Sequence, residues 1–199
     1  MKGVAMLLGV LLVSGCATTP PSTTDNVCHI FEEKGGWFKA AEKAEERWGT
    51  PIPVTMAFIH QESRFRAKAK PPRRYFLWII PGPRLSSAYG YPQAKDSTWD
   101  WYRSSSGNGW ADRDDFADAV DFIGWYNAES RRRNKIRADD AYHLYLAYHE
   151  GHGGFERRSF RNKDWLKGVA KKVSARSLRY SRQLAGCREE LEDSGWWPF

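Results

Sequence analysis

Pro53-Val54-Thr55-Met56-Ala57-Phe58-Ile59-His60-Gln61-Glu62-Ser63 opens with a residue suited to the first turn of a helix, runs apolar, and ends on an acid and a hydroxyl. On a helical count Thr55, Phe58, Ile59 and Glu62 share one face, because residues three and four apart are neighbours there. A carboxyl at the end of such a stripe is expected to lose part of its hydration. Desolvation disfavours the charged form and raises the pKa, which suits a general acid working near neutral pH. The plain alternative is a glutamate that ends the helix and points at water, as most glutamates do. The neighbouring segments decide between them.

Outward from this stretch the pattern is helical almost throughout. Val27 to Lys34 and Trp37 to Trp48 read as two helices, separated by Gly35-Gly36 and closed by Gly49. Between Arg66 and Leu85 lysines, arginines and prolines surround Tyr75-Phe76-Leu77-Trp78-Ile79-Ile80. This reads as a loop or small hairpin insertion near 66–85, its aromatic centre taken as packed core ahead of a membrane-facing patch or a substrate wall. Gln93 to Arg103 forms the next expected helix, carrying Trp99, Trp101 and Tyr102. Asp112 reads as an N-cap with Asp115 three residues on, ahead of a face made by Phe116, Ala119, Val120 and Ile123. That helix ends in Arg131-Arg132-Arg133-Asn134-Lys135, where base complements the helix dipole without any ligand. Asp139-Asp140 caps a helix striped by Ala141, Leu144, Tyr145 and Tyr148, and Gly151, Gly153 and Gly154 are expected to stop it. A basic helix from Asp164 to about Gly186 follows. The tail Gly195-Trp196-Trp197-Pro198-Phe199 is open to two readings, packing or a membrane interface.

The first fifteen residues read as a leader. Lys2 supplies a positive charge, and Gly3 to Val13 an apolar run of signal-peptide length, too short for an ordinary membrane span. The run ends in Leu12-Val13-Ser14-Gly15-Cys16, which resembles a bacterial lipobox and implies lipidation of Cys16 after cleavage. No aspartate follows Cys16, so by analogy with bacterial lipoproteins the expected destination is the periplasmic face of the outer membrane; an uncleaved short anchor is the alternative. Residues 16–26 then read as a tether and 27–199 as one domain, monomeric by default. Removing residues 1–15 takes one lysine and no acid from a net charge of +7. A basic exported protein suits an anionic polymer or membrane surface rather than nucleic acid. With Cys16 assigned to lipid, Cys28 and Cys187 remain, one near each end of the domain. An oxidising compartment allows a disulfide between them, the alternative being two unpaired buried thiols.

Three short segments carry the chemistry: Glu62-Ser63; Gly90-Tyr91-Pro92-Gln93 after Ser86-Ser87-Ala88-Tyr89; and Ala147-Tyr148-His149-Glu150-Gly151. In this order, across roughly Val54 to Gly154, they resemble the lysozyme-like lytic transglycosylases of the soluble-transglycosylase type. That family has a Glu-Ser pair, then a Gly-Leu-Met-Gln-like turn, then Ala-Tyr-Asn-x-Gly. The resemblance implies a mostly α, lysozyme-like fold and an enzyme that cuts peptidoglycan glycan strands without a cofactor. It implies Glu62 as the catalytic acid and then base, closing a 1,6-anhydro ring on the muramic acid. Because the nucleophile lies within the sugar, no second carboxylate is needed, unlike ordinary glycosidases. Tyr148 matches the tyrosine whose hydroxyl lies near the carboxyl. Gln93 matches the family glutamine, and Ser63, Ser87, Tyr89 and His149 complete the candidate substrate contacts.

Two departures stand out: Tyr91-Pro92 replaces Leu-Met, and His149 replaces asparagine, bringing a side chain that can change charge with pH. Glu150 reads as a solvated helix-end residue rather than a second acid, and Asp96 and Asp100 as surface or sugar-binding groups. His149 and His152 lie three apart with no third ligand in register, so a metal is not expected. Two competing functions share these residues. A hydrolysing muramidase would need a second carboxylate facing Glu62 across the groove. A non-catalytic wall-binding lipoprotein would hold glycan with its basic face and tryptophans.

Overall fold

The computed structural model describes residues 19–76 and 80–194. The leader, Cys16, the middle of the insertion's aromatic run and the Gly195–Phe199 tail, with the expectations attached to them, lie outside the described residues. The helices are α1 (Val27–Glu33), α2 (Trp37–Trp48), α3 (Ile52–Ser63), α4 (Asp96–Ser106), α5 (Phe116–Asn134), α6 (Ala141–Glu150), α7 (His152–Glu156) and α8 (Asp164–Ser194). Among the described residues one hairpin, β1 (Arg73–Phe76) and β2 (Ile80–Arg84), interrupts them, paired antiparallel with Phe76 opposite Ile80 and Arg73 opposite Arg84. The expected mostly α fold with a hairpin insertion is what forms.

The stretch quoted first becomes the central helix. From Ile52 to Ile59 every residue of α3 is buried, so the expected apolar stripe is in fact an apolar cylinder. Helices that are apolar all round belong inside a protein. Here α8, α5 and α2 all pack on α3. Its start is fixed by Pro51, whose carbonyl accepts from the N–H groups of Val54 and Thr55, and by Glu45, whose carboxylate accepts the Ile52 N–H at 3.0 Å. Its end is abrupt. Arg64 and Phe65 both take positive φ, 51° and 59°, a conformation side chains resist. Phe65 is held there by complete burial and a stack on Trp37 at 5.9 Å. Two successive left-handed residues throw the chain off the helix axis immediately after Glu62-Ser63.

Helices α2, α5 and α8 cage α3, and α1, α4, α6 and α7 pack in turn on α5 or α8. On α5, Gly124 lets Trp48 of α2 approach so closely that a Cβ there would lie 2.9 Å from the indole. Asp121, one turn away, accepts from the Trp48 indole at 2.8 Å and the Tyr102 hydroxyl at 2.7 Å, and pairs with Arg47. One carboxylate thus ties α2, α4 and α5 together. Across the molecule, Cys28 of α1 and Cys187 of α8 form a disulfide with 6.2 Å between Cα atoms, so the first helix is clamped to the last.

Four boundaries differ from the sequence reading. The N-cap of α5 is Asp115, which accepts the Asp118 N–H; the Asp112 N–H is instead tied down by the Asp118 carboxylate. Helix α4 starts at Asp96, because Gln93 takes φ of 50° and belongs to the preceding turn. Helix α8 runs past Gly186 to Ser194, since the disulfide at Cys187 and the pairing of Arg188 with Glu45 and Glu192 keep the later turns seated. Gly151 ends α6, but the chain re-enters a helix at once as α7. Near the N-terminus, the expected tether is already docked by Ser22. The Ser22 N–H and hydroxyl donate to Glu33, and Thr24 and Asp25 lie along α8 against Arg176, Tyr180 and Gln183.

Candidate active site

A cleft of about 420 Å³ opens where the end of α3, the Gly90–Gln93 turn and the end of α6 converge. Glu62, Gln93, Tyr148 and His149 all line it, so the three sequence segments meet at one place. Phe122 and Tyr126 of α5 form further apolar wall, with Lys95 and Thr98 at the α4 side.

Glu62 keeps partial access to solvent through the cleft, while protein surrounds it on its other sides. Burial raises its carboxyl from the ordinary 4.5 to about 7, against the opposing effect of a hydrogen bond from the Tyr145 hydroxyl to Oε1 at 2.9 Å. The acid is therefore part protonated and part ionised at neutral pH, the condition for one group to give and take a proton in turn. Around it, the rings of Phe58, Tyr145, Tyr148 and Tyr126 contact one another edge-on or stacked at 5.1–6.5 Å between centroids. These rings supply the low-polarity setting behind the shift.

The tyrosine that touches the carboxyl is Tyr145 rather than Tyr148, a correction to the motif-based expectation. Tyr148 still faces the cleft, but its hydroxyl donates to the Pro92 carbonyl at 2.6 Å. Its phenol is pushed well above its usual range by burial and then by the charge of Glu62, so it stays a neutral donor. Tyr145 and Tyr148 lie three residues apart on the stripe visible in the sequence. The signal for Tyr145 was thus present, as a neighbour on the same helical face.

The turn is built tightly. Gly90 has φ of 78°, and a Cβ there would fall 2.1 Å from the Arg113 carbonyl oxygen. Only glycine fits. Its N–H donates to the Ala69 carbonyl, and the Gln93 Nε2 donates to the Ala69 and Gly90 carbonyls, each at 2.9 Å. With its nitrogen committed, Gln93 offers the cleft its amide oxygen. Pro92 lacks an N–H but contributes the carbonyl that anchors Tyr148. Tyr91 points away from the cleft's lining, buried edge-on against Trp37 and Phe116. The Tyr91-Pro92 departure therefore braces the turn from behind.

Other expected contacts are placed differently. Ser63 is buried and its hydroxyl donates back to the Ile59 carbonyl, so it closes α3 instead of reaching the cleft. The Ser87 hydroxyl accepts the Asp96 N–H at the start of α4, and the Tyr89 hydroxyl donates to Asp114. Both support the turn rather than line the cleft. Asp96 pairs with Arg113 on the surface, and Asp100 is exposed. His149 lies at the rim, its Nδ1 3.2 Å from Glu150.

Glu150 is not solvated, contrary to expectation. Its side chain is 4 % exposed and lines the cleft. Burial alone would raise its pKa, but hydrogen bonds from Lys163, Ser159 and His149 outweigh that and bring it down to about 2. Both oxygens lie 2.8 Å from Lys163 Nζ. The cleft thus holds two carboxyls in opposite states, Glu62 able to carry a proton and Glu150 fixed as a paired anion. His152 is packed in the core, stacked on Tyr126 with Nε2 3.0 Å from the Ser130 hydroxyl. Among the described residues no three His, Cys, Asp or Glu side chains gather as a metal site.

A search of curated proteins gave no match. The family model for the transglycosylase SLT domain, in contrast, matches residues 4–187, nearly the whole chain. The cleft, its acid and the helical cage around α3 agree with that match, and the chain belongs to the transglycosylase SLT domain family, peptidoglycan lytic transglycosylases that cut glycosidic bonds as lyases.

Proposed function

We propose that this protein cleaves the β-1,4 bond between N-acetylmuramic acid and N-acetylglucosamine with Glu62 as its single catalytic carboxyl. Protonated Glu62 gives its proton to the glycosidic oxygen, and the bond from that oxygen to C1 of the muramic acid breaks. The resulting carboxylate then takes the proton from the 6-hydroxyl of the same sugar, whose oxygen closes on C1. The products are a 1,6-anhydro end and a free 4-hydroxyl, and Glu62 finishes protonated as it began. No water is consumed.

The observation that carries this reading is the contrast between the two carboxyls of the cleft. Glu62 is raised to about 7, whereas Glu150 has both oxygens spent on Lys163, Ser159 and His149. A hydrolysing muramidase needs a second carboxyl to activate water or attack the sugar. Glu150 is poorly suited to that task, being held as a weak base. Gln93 offers its oxygen to N–H or hydroxyl donors of the sugar, and Tyr145 steadies the carboxylate in mid-reaction.

The enzyme is further proposed to be anchored at the periplasmic face of the outer membrane through lipid on Cys16. The docking of Ser22 on Glu33 supports a short leash. Five residues lie between Cys16 and Ser22, and the six steps from one to the other span at most about 20 Å when fully extended. Metabolic labelling with a fatty acid, compared between wild type and Cys16→Ala, tests the anchor; equal labelling of the two would refute it. For the reaction, wild type and Glu62→Gln are compared on purified sacculi. Wild type should release 1,6-anhydro ends and the variant none, whereas reducing ends alone would establish hydrolysis.

A further inference from the structure

We propose that Trp165, carried at the rim by His149, forms an outer subsite of the cleft that stacks on the C–H face of an N-acetylated pyranose. It would hold a sugar of the glycan strand beyond the pair at Glu62. This rests on the reading of the cleft as the site of glycan cleavage.

Four large apolar side chains are conspicuously exposed among the described residues: Leu85, Trp110, Trp165 and Leu178. Single exposed hydrophobics are ordinary. Trp165 differs by its position and its fixing. Its ring meets that of His149 edge-on, 5.1 Å between centroids at 78°, and His149 lines the cleft. The indole is therefore one side chain away from the substrate groove, yet 59 % of its surface is bare. It does not hang there loosely. Lys163, two residues earlier, is locked on Glu150 of the cleft wall, and Leu166, the next residue, is completely buried. The first turn of α8 thus presents Trp165 on a pinned support, and fixed aromatic surface can be covered by a ligand at little entropic cost. A β-1,4-linked N-acetylhexosamine carries its substituents equatorially and shows axial C–H groups on its faces. That surface matches an indole and leaves the polar rim of the sugar to water and to His149.

Removing the indole should cost about tenfold in affinity for strands long enough to reach it, equivalent to about 1.4 kcal/mol. The test uses peptide-free glycan strands fractionated by length. On long strands Trp165→Ala should raise KM about tenfold while kcat changes less than twofold, and Trp165→Phe should recover most of the loss. On the shortest fragments that are still cleaved the rise in KM should vanish. An unchanged KM on long strands would overturn the proposal. So would an equal rise on the shortest fragments, or a fall in kcat accompanied by a lower Tm, which marks a structural role. Binding of long strands is also measured with Glu62→Gln and the double variant Glu62→Gln/Trp165→Ala, where a tenfold weakening is expected and equal affinity would count against the subsite. That arm reads the subsite without turnover, so absence of cleavage by wild type would refute the proposed reaction and leave the stacking question answered separately.

Discussion

Replacing Tyr145 by phenylalanine removes one hydroxyl and keeps the ring that packs on Phe58. The lost group is the donor to Glu62 Oε1 at 2.9 Å, which works against burial and holds the carboxyl down at about 7. A hydrogen bond to an ionised group is worth about 1.5–3 kcal/mol and one to a neutral group about 0.5–1.5 kcal/mol. The difference, about 1–1.5 kcal/mol, is what the tyrosine contributes to favouring the ionised form, and it corresponds to about one pH unit. The sign follows directly. Without the donor the carboxylate is less stable, the proton is held to higher pH, and the protonated form that the proposed reaction needs survives further into the alkaline range. The alkaline limb of kcat/KM should therefore move up by about one unit in Tyr145→Phe. The assay is the initial rate of sacculus clearing between pH 5 and 9 at constant ionic strength, with Tm measured at each pH. An alkaline limb that stays in place or moves down refutes the claim that Tyr145 tunes Glu62.

Other expectations follow from the same geometry. Glu62→Gln should be more stable than wild type at alkaline pH, because native Glu62 holds its proton up to about 7 whereas an unfolded glutamate loses it near 4.5. Wild-type stability from this group is full below the unfolded pKa and is lost as pH rises through the folded one, so the advantage of the variant should grow between pH 4.5 and 7 and then level off. Its ceiling is roughly 3 kcal/mol, reduced by the solvent in the cleft, and urea unfolding at pH 5 and pH 8 should show a larger difference at pH 8. Gly90→Ala places a methyl against the Arg113 backbone carbonyl at positive φ, and should cost over about 3 kcal/mol or displace the turn; a Tm within one degree of wild type would contradict that contact. Cys187→Ser opens a loop of 159 residues between α1 and α8. Chain entropy puts the loss near 5 kcal/mol, commonly less in practice, and reduction of wild type should produce a similar drop in Tm.

The sequence carried the helical architecture because most elements announce themselves at both ends. Gly49 closes α2 and Asp140 caps α6, as read from residue type alone. The burial of α3 was less visible. Its neighbours on all sides come from α2, α5 and α8, and no local period reports contacts made so far along the chain. The same limit explains Glu150: beside His149 it looks like a helix-end acid, and its partner Lys163 lies beyond α7. At the site, the segments holding Glu62, Gln93 and Tyr148 were legible as motifs. Which hydroxyl reaches the carboxyl was not. Residues three apart on a helix share a face, and whether Tyr145 or Tyr148 meets Glu62 depends on how α6 is seated against α3 and on the Pro92 carbonyl that captures Tyr148. Ser63 shows the reverse, a residue singled out by its motif whose hydroxyl is consumed by its own helix.

The central claim is that one carboxyl, Glu62, performs both proton transfers without water. It is tested most directly by digesting sacculi in ¹⁸O-labelled water and analysing the released muramic acid ends by mass spectrometry. Wild type should release 1,6-anhydro ends that carry no label, and Glu62→Gln should release none. Reducing ends labelled at C1, or undiminished release of anhydro ends by Glu62→Gln, would contradict it.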